Sequence, residues 1–322
     1  MSATLRRKVT LALAPVCAAV AMNLCGVTAH AATPPLEGYG AGTTGGAGGS
    51  TTTVSSLSAL TAAIKGDAAK TVRVSGTISL SGQVKVGSNT TVIGVGANSG
   101  LAGGGLSLDG VHNVIVRNLR ISKAVGTDAI TVIRGANHIW IDHDDLSSDL
   151  SHGKDYYDGL VDITHAADYI TVSWNHFHDH YKVSLVGHSD SNAAEDTGHL
   201  HVTYAHNWFS NVNSRLPSVR FGTAHIYDNY FQNVTDSAVH SRMGAQTLVQ
   251  NNVFRSVKTA VTTTGDSKTD GYANLSGNDL GGAATDITRT GTFTKAPYSF
   301  TLTSTSSVIS SVTAGAGTGV VG

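Results

Sequence analysis

The sequence predicts an all-β protein, a right-handed parallel β-helix with a short N-terminal capping helix, and three observations favour this fold. Charged residues make up 13% of the 322-residue chain while Gly, Ser, Thr, Asn and Val abound, a composition that favours strands and turns over helices. Six short segments resemble one another. Their closing apolar residues recur every 22 to 32 positions, a period typical of a solenoid whose coils bury their inner faces against each other.

Each repeated segment has a few alternating residues, then a polar residue two positions before a large apolar side chain, and then a loop. The polar residue is Asp144 in the first segment and Asn in the other five. Stacked Asn side chains at matching turns can satisfy backbone groups and one another. A β-sandwich, the alternative fold, would place strands about 8 to 12 residues apart, so the longer period favours the solenoid. The segments are 139–146, 170–177, 202–209, 225–231, 248–254 and 275–280.

Residues 1–31 are predicted to be a signal peptide, so the protein should be secreted to the extracellular medium. Basic residues at 6–8 precede an apolar stretch over 9–27, and Ala29-His-Ala31 has the small-x-small pattern of a cleavage site. A membrane anchor is the alternative, but polar residues and a proline interrupt the apolar stretch. No other segment has the roughly 18 apolar residues needed to span a bilayer.

The mature chain, residues 32–322, is predicted to form a single domain, with 33–80 as an N-terminal cap and 281–322 as a C-terminal tail. Cys17 and Cys25 both fall in the signal peptide, so the secreted protein should contain no disulfide. Without the three basic residues of the signal, 18 Lys and Arg stand against 22 Asp and Glu. This mildly acidic balance argues against nucleic-acid binding, and we expect a monomer.

Three further segments refine the architecture. The segment 55–65 has apolar residues at helical spacing and is predicted to be the capping helix. Two coils are about ten residues longer than the others, at 147–157 and 178–198, and both insertions are predicted to project from the same side, where binding loops collect. The Thr, Ser and Gly content of the tail favours a loosely attached strand layer.

The 15 histidines raise the possibility of a zinc site, above all at His176, His178 and His180. Their alternate spacing would place them on one face of an extended strand. No supporting carboxylate or cysteine pattern follows them, which argues against a structural zinc.

The segment from Arg215 to Arg220, Arg-Leu-Pro-Ser-Val-Arg, contains two guanidinium groups five positions apart. Because five is odd, a regular strand would send them to opposite faces, so convergence requires a bend at the proline. Two converging arginines can bind carboxylates. Acidic and basic residues upstream suit a cation and a polyanion together.

Five stretches resemble the signature blocks of the pectate lyases of polysaccharide lyase family one, in their secreted bacterial form. The resemblance extends from Gly38 to about Leu280, and the order and spacing of the blocks make it specific. They are Trp140-Ile-Asp-His143, Asp158-Gly-Leu-Val-Asp-Ile163, Thr171-Val-Ser-Trp-Asn175, Lys182-Val183 and Arg215-Leu-Pro-Ser-Val-Arg220.

The resemblance implies a calcium-dependent parallel β-helix that cleaves de-esterified homogalacturonan (pectate) by β-elimination. It also implies a role for each matching residue. These are the Ca²⁺ ligands Asp128, Asp158 and Asp162, the uronate-binding residues Lys182 and Arg220, and the catalytic base Arg215. Two departures could weaken the calcium site or move its ligands: Asp158 stands where many members have Glu, and Gly126 where some place a further acid.

The chemistry of elimination is compatible with these residue types. The proton next to a uronate carboxylate is weakly acidic while that carboxylate keeps its charge, and Ca²⁺ bridging to protein carboxylates would partly neutralise it. Asp158 and Asp162 are four residues apart, so both reach one cation only across a bent segment or a helix-like turn. An arginine normally stays protonated to a pKa above about 12. Because nearby cations disfavour the protonated guanidinium, we expect activity to rise toward alkaline pH.

Three alternatives remain open at this point. A β-helical glycoside hydrolase would need paired carboxylates, but Asp144 and Asp145 are adjacent on a strand and point oppositely. A pectin lyase acting on the methyl-esterified polymer would not need a calcium bridge. A noncatalytic carbohydrate-binding β-helix would keep the Asn ladder without the acidic and basic set.

Overall fold

The body of the molecule is a parallel β-helix, as the sequence predicts. The structure is a computed structural model, and it describes residues 1–4 and 36–321. The predicted signal peptide lies almost wholly within residues 5–35, outside the described residues. Among the helices that the structure describes, none is long and apolar enough to cross a membrane.

The strands stack into three faces along the β-helix, and neighbouring strands within each face are parallel. Faces 2 and 3 join through β21 and β23, which are long enough to belong to both. Face 1 contains β1 (Ser50–Val54), β2 (Lys70–Val74), β5 (Thr90–Gly94), β8 (His112–Arg117), β11 (Asn137–Asp142), β14 (Asp168–Ser173), β17 (His201–Ala205), β20 (Thr223–Tyr227), β22 (Gln246–Gln250) and β24 (Tyr272–Ser276). Face 2 contains β3 (Thr77–Ser79), β6 (Gly100–Ala102), β9 (Arg120–Ser122), β12 (Asp145–Ser147), β15 (His176–Lys182), β18 (Trp208–Ser214), and the first parts of β21 (Tyr230–Arg242) and β23 (Val253–Thr262). Face 3 contains β4 (Gln83–Lys85), β7 (Gly105–Asp109), β10 (Ile130–Ile133), β13 (Val161–Ile163), β16 (Leu185–Val186), β19 (Ser218–Arg220), the last parts of β21 and β23, and β25 (Ala284–Asp286).

The inner face of the solenoid is filled by stacked side chains from successive coils. Phe177, Phe209, Phe231 and Phe254 are completely buried, and neighbouring rings lie nearly parallel with centroids 4.6 to 4.9 Å apart. These are the closing apolar residues of the repeated segments. Burying such a ring is among the larger single contributions to stability, since truncation of a core Phe costs about 3 to 5 kcal/mol.

A ladder of polar side chains runs beside this core at the corner between faces 1 and 2, as predicted. In each step a backbone N–H donates to the Oδ1 of the Asn one coil further on, over 2.8 to 3.0 Å. Each ladder Asn also donates from Nδ2 to a backbone carbonyl. The ladder thereby satisfies buried backbone groups at the turn. Its members are Asp144, Asn175, Asn207, Asn229, Asn252 and Asn278.

The predicted capping helix is α1 (Leu57–Ala63), which contacts β1 and β2 of the first coils. Ser56 is its N-cap and accepts a hydrogen bond from the Ala59 amide over 3.3 Å. Leu60 and Ile64 are completely buried against the coil, whereas Leu57 is 42% exposed. The helix therefore covers the core with a narrower apolar face than its sequence spacing suggests.

The two longer coils carry their extra residues at different corners, so the prediction that both insertions leave from one side is wrong. The first lies between β12 and β13, at the corner where face 2 meets face 3. The second lies between β16 and β17, where face 3 meets face 1, and contains α2 (Ala193–Asp196). The segment 178–198 also includes strand residues of β15 and β16. The insertions consequently flank face 3 on both sides.

The C-terminal tail does not form the predicted strand layer. After β25 it is largely irregular until α3 (Thr305–Gly315), whose Val308 and Val312 are completely buried against β21 and β23. Beyond α3, the amide of Gly317 donates to the carbonyl of Trp174 over 2.8 Å. β25 attaches the start of the tail by pairing with β23, and beyond it the tail packs back along the solenoid toward earlier coils.

The buried His225 joins the tail to face 1 and gives a prediction on stability against pH. Its Nδ1 lies 2.7 Å from the hydroxyl of Tyr298, and its Nε2 lies 2.9 Å from Oε1 of Gln250. Burial lowers the pKa of His225 to about 4. Neutral His225 therefore contributes stability that is complete above its unfolded pKa of roughly 6.5 and is lost as the pH falls to about 4.

We expect His225→Gln to be less stable than the parent at neutral pH and to lose this disadvantage in acid. The difference in free energy of unfolding should shrink by about 1.4 kcal/mol per pH unit between pH 6.5 and 4. Urea unfolding at several pH values measures it. His112→Gln, at an exposed position on β8, is the control. A His225→Gln difference that stays constant across this range would contradict the assignment.

Candidate active site

The six residues proposed for the site lie on or beside face 3, in successive coils between the two insertions. β10, β13, β16 and β19 are neighbours in that face. Side chains that are far apart in sequence are therefore separated by only one to three coil spacings. Asp128 precedes β10, Asp158 precedes β13, Asp162 lies in β13, Lys182 ends β15, Arg215 lies between β18 and β19, and Arg220 ends β19.

Asp128 and Asp162 converge on Gly159. Asp128 accepts hydrogen bonds from the hydroxyl of Thr131 over 2.6 Å and from the Gly159 amide over 2.9 Å. Asp162 accepts from the Leu185 amide over 3.0 Å. A Cβ at position 159 would overlap the Asp162 carboxylate and lie 3.0 Å from Oδ1 of Asp128. Glycine is therefore required here for the two carboxylates to share one space.

The electrostatics of this pair suit a cation. Burial raises the pKa of Asp162 well above its ordinary value, and the charge of Asp128 raises it further. Burial also raises the pKa of Asp128 above its ordinary value, against the lowering effect of its bonds from Thr131 and Gly159. Two desolvated carboxylates that repel each other are stabilised by a positive ion between them. Because both donors are hard oxygens, the pair fits Ca²⁺ better than a transition metal.

Asp158 is oriented differently from the other two acids. Its side chain is 55% exposed, and its Oδ1 lies 3.4 Å from Nζ of Lys182. In the part of the chain that the structure describes, Asp128, Asp158 and Asp162 do not bring three ligand atoms within 4.8 Å of one another. To join the other two carboxylates around one ion, Asp158 has to release Lys182.

Lys182 and Arg220 are mostly buried cations held by acidic partners from the insertions. Lys182 is 10% exposed and donates to Oδ1 of Asp155 over 2.9 Å. Arg220 is 11% exposed, and its Nε donates to Oδ1 of Asp190 over 2.6 Å. A second guanidinium nitrogen of Arg220 donates to the carbonyl of Gly187 over 2.9 Å. An anionic ligand would therefore meet cations whose positions are already fixed.

Arg215 and Arg220 open into the same cleft, which has a volume of about 170 Å³. Residues 215–217 follow β18 and turn the chain into β19, so the alternation of side chains is interrupted between the two arginines. Arg215 has a φ of 66° and is partly exposed. Within residues 36–321, its guanidinium makes no hydrogen bond or ion pair. The Arg215 guanidinium is therefore available to a substrate atom.

Two further residues shape the cleft and were not anticipated from the sequence. Arg242 lies beside Arg220 in the register of β19 and β21, and its Nε donates to Ser267 over 2.7 Å. Burial, followed by the charge of Arg220, lowers the pKa of Arg242 to about 10. The second is Asp190, which fixes Arg220. The sequence does contain a signal for Arg242. This residue lies 22 positions after Arg220, which is the length of one short coil.

Asp190 also ties the second insertion to a distant loop. Its Oδ1 accepts from the hydroxyl of Ser267 over 2.7 Å, and its Oδ2 accepts from the Lys268 amide over 2.9 Å. Burial alone would raise the pKa of Asp190, but these bonds and the one from Arg220 hold it well below its ordinary value. Asp190 is thus a charged anchor that positions Arg220.

Known proteins are similar to this chain over most of its length. The sequence model described as pectate lyase matches residues 9–321. The chain belongs to the pectate lyase family. Its enzyme class is therefore that of the family, and the resemblance found in the sequence blocks is confirmed.

Individual pectate lyases cover most of the chain. Pectate lyase B of Colletotrichum gloeosporioides is 53% identical over 282 residues, which are 87% of this chain and 84% of that protein. Pectate lyase A of Aspergillus niger is 51% identical over 278 residues, 86% and 84% of the two chains. A pectate lyase of Bacillus sp. N165, solved in complex with trigalacturonate, is 34% identical, has a TM-score of 0.80, and is matched over 88% of this chain and 99% of its own. Two of these relatives are fungal and one is bacterial.

Proposed function

We propose that this pectate lyase cleaves de-esterified homogalacturonan by calcium-dependent β-elimination, with Arg215 as the base. The observation that carries the proposal is the buried Asp128 and Asp162 pair on face 3, with Arg215 two coils further on and near enough for its charge to act on Asp162. Among the described residues, the Arg215 guanidinium has no hydrogen bond or ion pair. The bacterial relative solved with trigalacturonate supports a galacturonate polymer as the substrate.

The acidic residues would hold the metal ion. Asp128 and Asp162 supply two buried oxygen donors whose mutual repulsion a divalent cation relieves, and Asp158 supplies a third when it leaves Lys182. Ca²⁺ bound by them would partly neutralise the substrate carboxylate and so acidify the proton on the adjacent carbon. The shorter side chain of Asp158, compared with a glutamate, limits how far it can reach, so this ligand is the weakest of the three.

Arg215 would remove that proton. Its guanidinium is partly exposed in the cleft and has no competing acceptor within the described residues, so it can approach the carbon next to the uronate carboxylate. Arg215 accepts the proton as a neutral guanidine, and the electron pair of the C–H bond is held in an enolate-like species delocalised onto the uronate carboxylate. That pair forms the carbon–carbon double bond as the bond to the glycosidic oxygen breaks, and the oxygen leaves with its electron pair and takes up a proton. The products are one unsaturated end and one ordinary end.

Lys182 and Arg220 would bind uronate carboxylates and stabilise the negative charge that develops during proton removal. Arg220 keeps a guanidinium edge in the cleft while Asp190 holds its Nε. Lys182 is bound to Asp155, which is 88% exposed, and an ion pair of this kind is weak enough for substrate to displace. When substrate binds, a carboxylate of the polymer therefore replaces the solvent-exposed carboxylate of Asp155 at Lys182.

Secretion and a monomeric state are also part of this proposal. The charged polymer is extracellular and too large to enter a cell, which agrees with the signal peptide predicted over residues 1–31. Sequencing the N-terminus of protein recovered from culture medium should give Ala32 as the first residue. Sedimentation analysis should give the mass of one chain.

An assay on polygalacturonate tests the reaction type. With Ca²⁺ present, ultraviolet absorbance from unsaturated ends should rise, and it should rise faster as the pH becomes alkaline. With chelator the increase should stop, and methyl-esterified pectin should give a much lower rate. New reducing ends without the absorbance would indicate hydrolysis, full activity in chelator would exclude the calcium role, and no cleavage would favour binding alone.

A further inference from the structure

A second group of metal-ligating side chains lies on face 2, outside the cleft. Asp145 begins β12 and His176 begins β15, and the two residues are partners in the register of these neighbouring strands. His178 follows two residues later on β15. Among the described residues, these three alone place one ligand atom each within 4.8 Å of all the others.

Two of the distances within this trio are close to those between the ligands of a small metal ion, and all three ligand atoms lie within 4.8 Å of one another. Oδ1 of Asp145 lies 3.3 Å from Nε2 of His178, and Oδ2 lies 3.7 Å from Nδ1 of His176. Zinc binds imidazole nitrogen and carboxylate oxygen at about 2.0 to 2.2 Å, which places the donors of a tetrahedral site about 3.4 Å apart. The atoms therefore need only small movements to close around one ion.

The second ring nitrogen of each histidine is also engaged in the way that metal-binding histidines require. Nε2 of His176 lies 2.9 Å from the hydroxyl of Ser210, and Nδ1 of His178 lies 2.8 Å from Oδ2 of Asp179. Such outer partners fix the orientation of a ligating imidazole and increase its basicity. Trp208 packs against His176 with the ring centroids 4.1 Å apart, which further restrains that ring.

The trio is accessible from solvent. Its side chains are 18 to 21% exposed, which leaves room for a water molecule as a fourth ligand. Arg120 is the competing cation, with Nε 3.7 Å from Oδ1 of Asp145, but its side chain is 51% exposed and free to move away. His180 does not take part, because its two nitrogens face the hydroxyl of Ser148 and the carbonyl of Asp158.

We propose that Asp145, His176 and His178 form a zinc-type transition-metal site on face 2, separate from Asp128, Asp158 and Asp162 beside face 3. Two imidazoles and one carboxylate make a donor set that zinc accepts and that calcium, which prefers oxygen ligands, does not favour. The ion would connect β12 and β15, two successive coils, next to the turn where α3 ends. Its binding would therefore stabilise the middle of the solenoid.

Titration of the untagged protein with zinc chloride, followed by calorimetry, tests the site. The substitutions Cys17→Ser and Cys25→Ser remove the thiols as alternative ligands. We expect one zinc per chain and a higher Tm with zinc. Asp145→Asn, His176→Gln and His178→Gln should each weaken binding by more than about 100-fold, since even changes to outer partners cost about 10- to 100-fold. His112→Gln, at an exposed position on β8, should bind as the parent does.

Cobalt gives an independent readout, because a tetrahedral Co²⁺ site with two nitrogen ligands absorbs visible light and an octahedral surface ion absorbs very weakly. We expect this absorbance in the parent and its loss on adding zinc. The proposal is overturned if the parent binds no stoichiometric zinc, if the three variants bind as tightly as the parent, or if calcium displaces zinc at equal concentration. The parent titration decides the question even where a variant fails to fold.

Discussion

Replacing Arg215 with alanine is expected to lower kcat on polygalacturonate by about 10²- to 10⁴-fold, the range that a general base contributes. The fold should survive, because within the described residues this guanidinium holds no hydrogen bond or ion pair whose loss would destabilise the chain. The backbone φ of 66° carries a similar cost for any residue with a Cβ. Initial rates from ultraviolet absorbance, together with thermal unfolding, separate the chemical effect from a folding effect.

Two further variants make this test specific. Arg215→Lys keeps a positive charge but removes the guanidinium, and we expect nearly as large a loss of kcat if proton transfer rather than charge is required. Arg73→Ala, on β2 of face 1, removes an arginine far from the cleft and should leave kcat unchanged. An Arg215→Ala enzyme that retained a tenth or more of the parent kcat would show that another group is the base.

Asp162→Asn is expected to have the second largest effect. It should lower activity and, in chelator, raise the stability of the fold. Loss of a buried calcium ligand should lower kcat/KM by about 10²- to 10³-fold, corresponding to several kcal/mol of transition-state stabilisation. In chelator, however, the variant should be more stable than the parent by on the order of 1 kcal/mol. The reason is that it removes the repulsion between Asp162 and Asp128 while Asn can still accept from the Leu185 amide.

Measuring kcat/KM and Tm with and without Ca²⁺ tests this prediction. The parent should gain Tm on adding Ca²⁺ and the variant should not, since only the parent keeps both buried carboxylates. Asp286→Asn, at an exposed position on β25, is the matched control and should behave as the parent does. An Asp162→Asn protein that is less stable than the parent in chelator would mean that this carboxylate has a structural role instead.

The architecture could be predicted because its cause is local and repeated. Each coil carries the same small pattern, such as Asn175 before Phe177 and Asn207 before Phe209, and stacking that pattern places the amides in a ladder and the rings in a column. No long-range information is needed, since each coil interacts mainly with its neighbours. The stacking of coils also brings together site residues that are far apart in sequence.

The tail and the insertions could not be predicted, because they lack the repeat. The sequence of α3, rich in Ser, Thr and Val, has weak intrinsic helix propensity, and burial of Val308 and Val312 against the solenoid decides its conformation. The corner from which an insertion leaves depends on where each short strand ends. The end of each strand is set by backbone pairing with the neighbouring coils, and composition does not reveal that pairing.

The cleft and the second cluster could be predicted only in part, for a geometric reason. Arg242 and Asp145 each act with partners in another coil: Arg242 lies 22 residues after Arg220, and Asp145 lies 31 residues before His176. A search for nearby carboxylates after His176 therefore misses the one that the solenoid places beside it. In a stacked fold, ligand patterns have to be read at the repeat spacing as well as along a strand.

A crystal structure of the Arg215→Ala protein with Ca²⁺ and trigalacturonate is the most direct test of the central claim, that carboxylates on face 3 and the adjacent guanidinium act on one substrate unit. The account predicts a calcium ion bound by Asp128, Asp158 and Asp162, in contact with a uronate carboxylate, with Lys182 and Arg220 on uronate groups and the truncated side chain facing the carbon that loses its proton. A calcium ion held by other residues, or a saccharide bound with that carbon away from position 215, would contradict it.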